Sequence, residues 1–138
     1  MKMKKDVLLT IKDSHTTDGN KESYEMTTRG IWESNIDGYK ISYDEQYDEL
    51  KGCHTELTVK DLCVHMVRTG SFNTEMTIEK GKRHNCQYQS PFGSMLIGIN
   101  AQKVASDVKD GKGTLEMKYT IDFYGGIASE NELILILE

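Results

Sequence analysis

Arg68 is the side chain of this sequence best placed to do chemistry. It follows Leu62, Val64 and Met66 at alternate positions, so on an extended strand it shares their face and points with them into an apolar interior near the strand's end. A guanidinium offered from an apolar wall is a two-pronged partner for a ligand carboxylate or phosphate. The plainer alternative is an arginine that snorkels out at the rim or pairs with a structural glutamate. Tyr43, Tyr88 and His84 are candidates to join Arg68 in a ligand site, with Trp32 as a fifth. Gly30-Ile31-Trp32 matches the Gly-x-Trp pattern of lipocalins, but it falls in the second predicted strand where lipocalins carry it at the first. That position favours a barrel-capping hydrophobe over a ligand contact.

Other chemistries find no support in residue spacing. His15, His54, His65 and His84 form no ligand set on one element, and Cys53, Cys63 and Cys86 lack the Cys-x-x-Cys spacing of a zinc site. Asp44, Glu45, Asp48 and Glu49 lack the glycine of a calcium loop and read as a solvated turn. Ser94 after Gly93 is no nucleophile elbow, because strand follows strand there with no helix. The glycines at 111, 113, 125 and 126 read as hairpin turns and not as phosphate cradles. No nucleophile, base and orienting group are spaced to act together, so catalytic residues, metal ligands and cofactors are all assigned as none, and an enzyme is the least supported class.

The elements that must position these residues are strands. Val7, Leu9 and Ile11 alternate with polar partners before Thr17-Asp18-Gly19-Asn20 turns the chain. A second strand runs through Tyr24, Met26, Thr28 and Trp32. The Asp37-Gly38 turn opens a third through Tyr39, Ile41 and Tyr43. Leu57 and Val59, then Leu62 to Met66, then Phe72 to Ile78, then His84 to Tyr88 continue the pattern. Pro91 and Gly93 make a stiff corner before Met95, Ile97 and Ile99. Residues 101–109 suit a strand or a helical turn, and strand is preferred. Asp110-Gly111-Lys112-Gly113 turns the chain into Leu115 to Phe123, and Tyr124-Gly125-Gly126 leads to Leu133, Leu135 and Leu137. About eight to ten short antiparallel strands must close or double over to hide their edges, so an all-β barrel or a sandwich is expected over a single domain, residues 1–138.

Composition narrows the partners. A net charge of −5 and a pI near 5.4 give no basic footprint for nucleic acid or an anionic membrane. Lys2, Lys4 and Lys5 read as a solvated tail. No segment reaches the roughly 20 apolar residues of a membrane span, and none has a signal-peptide core. Three unpaired cysteines fit a reducing cytoplasm.

The order of short motifs resembles the YwiB-like family of uncharacterised bacterial proteins, a family of domains of unknown function. The motifs are Asp18-Gly19-Asn20, Ile41-Ser42-Tyr43, Val67-Arg68-Thr69-Gly70, Tyr88 with Ser90-Pro91-Phe92-Gly93, and the closing strand. The resemblance implies a calycin-like, lipocalin-like antiparallel barrel in a cytoplasmic bacterial protein, and it favours barrel over sandwich. It supplies no activity and no site residues.

An eight-strand barrel is just wide enough to be filled by side chains or to hold one small ligand. The expected inward set, including Met26, Tyr39, Tyr43, Met66, Met76, Tyr88, Met95 and Tyr119, is bulky and rich in adaptable methionine. The leading expectation is a non-catalytic binding module for a small amphipathic or apolar ligand. Its rival is a protein-interaction or homodimerisation module with a filled core, suggested by Leu8, Ile31, Ile134 and Ile136 on the outer face.

Overall fold

Alternation of apolar and polar residues runs almost the length of the chain, and the backbone follows it. The structure, a computed structural model, describes residues 3–46, 50–71, 73–90, 93–123 and 126–138. Lys2, Asp48, Glu49, Phe72, the Pro91-Phe92 corner and Tyr124-Gly125 lie outside the described residues.

The strands are β1 (Lys4–Thr17), β2 (Asn20–Ser34), β3 (Gly38–Asp44), β4 (Cys53–Lys60) and β5 (Cys63–Gly70). They continue as β6 (Thr74–Glu79), β7 (Arg83–Ser90), β8 (Gly93–Lys109), β9 (Lys112–Phe123) and β10 (Gly126–Leu137). All pair antiparallel in one sheet ordered β6-β5-β4-β3-β2-β1-β10-β9-β8-β7, so every neighbour is also next in sequence except β1 and β10. The sheet curls until its two edges meet. Among the described residues, β6 and β7 are joined by the Glu79–Lys82 bridge at their shared turn, and Gly81 N donates to Ala101 O at 3.2 Å beside it. The result is a single antiparallel barrel of ten strands, nearly closed, with a seam between β6 and β7.

Tight turns set the register. Asp18 and Gly19 have φ of 51° and 80°, and Asp110 and Gly111 have 52° and 81°. Positive φ at both central residues is the hairpin turn whose twist matches that of the strands, and aspartate followed by glycine tolerates it best. Residues 101–109 are strand, the end of β8. The register shifts between Ala101 and Lys103, and this bulge lets Ala101, Val104 and Val108 all face the core. Their spacing of three and four mimics a helix in sequence, which is why the segment reads ambiguously.

The core occupies one half of the barrel. Leu9, Ile41, Leu57, Ile78, Ile99 and Leu115 are all fully buried there. Trp32 plugs the same half, with its ring 6.4 Å from that of Tyr39. The Tyr39 hydroxyl shares a 2.6 Å hydrogen bond with Ser106, while the Trp32 indole N–H has no partner among the described residues.

Candidate functional site

Strand β1 shows where the barrel changes character. Its inward positions run Val7, Leu9, Ile11, Asp13, His15, so the face that begins as core turns polar in its second half. The same change occurs around the ring at that end, and a cavity of about 470 Å³ opens there. Its apolar wall includes Ile11, Met66, Met76, Ile97 and Leu133, and its polar wall includes Asp13, Tyr43, Glu45, Arg68, Tyr88 and Tyr119.

Register explains how distant residues meet. Tyr43 on β3 pairs with Thr55 on β4, Thr55 with Arg68 on β5, and Arg68 with Thr74 on β6. Four inward side chains thus form one row across four strands. Glu45 follows β3 and is held in line by its backbone N–H, which donates to Cys53 O at 2.9 Å. Its carboxylate reaches back along the row. Arg68 Nη2 donates to Glu45 Oε2 at 3.2 Å and Nε to Thr55 Oγ1 at 3.3 Å, and Thr55 Oγ1 donates to Glu45 Oε2 at 2.5 Å. Thr55 is wholly buried, and the side chains of Arg68 and Glu45 are 12% and 3% exposed.

Burial works against the charge on Arg68, but Glu45, reinforced by Tyr43, Tyr88 and Tyr119, outweighs it and holds the guanidinium above its ordinary pKa. Tyr43 is pushed well above the usual phenol range, chiefly by burial and then by Glu45. Tyr119 is raised by burial and then by Asp13. Both stay neutral at physiological pH, able to donate or accept a hydrogen bond but not to act as bases. Neither makes a hydrogen bond among the described residues. Asp13 sits between Tyr24 on β2 and Leu133 on β10. Its pKa is raised by burial, an effect that His15 and Arg68 oppose and Glu45 adds to.

Of the five candidate residues, the structure brings together Arg68, Tyr43 and Tyr88. His84 belongs elsewhere. Its Nε2 lies 2.8 Å from Glu79 Oε1, so it links β7 to β6 at the seam. Trp32 is at the opposite, filled end and is a core residue. Glu45 corrects the reading of the acidic loop as a solvated turn: it is 6% exposed and paired with Arg68, whereas Asp44 is exposed and pairs with His54 at 2.8 Å. The parity of Glu45 with Tyr39, Ile41 and Tyr43 was the available signal. Asp13 was missed likewise, although it continues the series Val7, Leu9, Ile11.

The cysteines are free. Burial raises the pKa of Cys63 and Cys86, so both remain thiols. Among the described residues no group of three or more His, Cys, Asp or Glu could hold a metal ion, and no helix is long and apolar enough to cross a membrane.

Residues 9–135 match a family described as "Domain of unknown function (DUF1934)". The chain is similar in structure to the ywiB protein from Bacillus subtilis, with a TM-score of 0.85 at 21% sequence identity, covering 98% of this chain and 92% of that one. At that identity the likeness establishes fold. No curated protein matches the chain.

Proposed function

The chain belongs to the DUF1934 family of domains of unknown function, and from the geometry of its barrel we propose a non-catalytic module that binds one small amphipathic molecule inside it. The observation that supports this is the cavity of about 470 Å³, apolar on one side and tyrosine-rich and charged on the other. Pockets of this size and mixed lining suit ligands that bury a hydrocarbon part and fix a polar head. Met66, Met76 and Met95 supply adaptable surface for the apolar part. Tyr43, Tyr88, Tyr119 and Arg68 face the head group. Arg68 already donates to Glu45 and Thr55 while lining the cavity, so in this reading it serves first as a buried structural cation.

Native mass spectrometry with short-chain amphiphiles tests the reading. The expected result is one-to-one binding of a six-carbon alcohol, lost in Ala128→Phe, which fills the cavity from its wall. Equal binding by the filled variant, or none by either, overturns it.

The rival module rests on the outer strip of Leu8, 38% exposed, beside half-buried Ile134 and Ile136. It predicts self-association in sedimentation experiments that Leu8→Lys abolishes.

A further inference from the structure

Charge in the cavity does not balance. Among the described residues, the carboxyl and guanidinium groups that line the cavity are Asp13, Glu45 and Arg68, and Glu45 and Arg68 pair with one another at 3.2 Å. His15 also lines the cavity, but its Nε2 lies 3.2 Å from Glu22. Asp13 is left over. No hydrogen bond or ion pair within 4.0 Å is made to its carboxylate by any described residue, although it is part-buried and inward-facing on β1.

A carboxylate taken from water without a partner is costly, and proteins seldom retain one without a use for it. Its surroundings indicate the partner. Asp13 raises the pKa of both Tyr43 and Tyr119, so its field extends over the tyrosine wall. Tyrosine faces attract organic cations, most strongly where water is excluded, and aromatic walls with a nearby carboxylate recognise ammonium groups. An anionic head group would meet the opposite conditions, since the guanidinium's charge is already taken by Glu45.

We infer that the cavity selects a cationic amphiphile, an alkyl chain bearing an ammonium group, with Asp13 as counter-charge and Tyr43, Tyr88 and Tyr119 around the head. This rests on the binding-module reading and names its ligand class. The chain lies against Met66, Met76 and Ile97, which leaves the charged head at the mouth where β1 turns polar.

The test compares three probes of equal chain length by calorimetry at pH 8: hexyltrimethylammonium, 1-hexanol and hexanoate. The wild-type protein is expected to bind the ammonium at least about tenfold more tightly than the other two. Asp13→Asn is expected to lose the preference for the cation over 1-hexanol. Asp13→Glu, retaining the charge, is expected to restore part of it. Hexanoate binding as tightly as the ammonium, or Asp13→Asn retaining the preference, overturns the inference while leaving the binding module intact. Failure of all three probes to bind the wild type overturns both.

Discussion

Burial raises the proton affinity of Asp13 by more than His15 on its own strand and Arg68 on β5 lower it, and Glu45 adds a smaller push in the same direction as burial. A carboxyl whose folded pKa lies above its unfolded value of 3.8 contributes stability that is present below that value and lost as pH rises through the folded pKa. Above the folded pKa the ionised side chain therefore works against folding. Asp13→Asn should melt at a higher temperature than the wild type at pH 7, and the difference should vanish as pH falls below 3.8; thermal melts across that range measure it. Glu45 shows the converse. Removing it strands the buried Arg68 charge, so Glu45→Ala should cost about 3–5 kcal/mol by urea denaturation. The double change Glu45→Leu with Arg68→Met should cost less than the single one, because no unpaired charge remains. The sequence displayed Arg68 as inward by parity alone. It could not display the partner, because Glu45 lies beyond the end of β3 and meets Arg68 only through the β3–β4–β5 register.

At the scale of strands, alternation was legible because each inward residue loses water while its neighbour keeps it, a period of two that needs no tertiary knowledge. The Asp-Gly turns were legible for an equally local reason. What escaped was anything that breaks the period. The bulge at Gln102 moves Val104 onto the inner face, and only pairing with β9 reveals it. The turn after β8 carries a further constraint at Gly113. Its φ is 136°, and a Cβ there would lie 1.8 Å from the carbonyl oxygen of Asp107 across the hairpin. Gly113→Ala should therefore destabilise by at least about 1 kcal/mol, roughly 4 °C in melting temperature. Melts of that variant beside Gly19→Ala, where the Cβ would meet no atom within 4 Å, separate crowding from backbone strain.

On the scale of the whole molecule, ten strands enclose more space than eight, and the side chains fill only one half of it. Trp32 and Tyr39 plug the end where β1 begins. The end where β1 reaches Asp13 and His15 stays hollow. Strand parity placed most of the inward set correctly, with Met66, Met76 and Tyr119 buried and Tyr88 packed against the core. It could not show which end would be hollow, because that depends on summed side-chain volumes across strands far apart in sequence. Nor could it show the seam, where His84 and Glu79 take the place of a longer ladder. A crystal structure of the protein soaked in 1-hexanol decides whether the hollow is a binding site. Density for one molecule between Met66, Met76 and Tyr119 is expected, and side chains packed across that space with no such density would mean that the barrel holds no ligand.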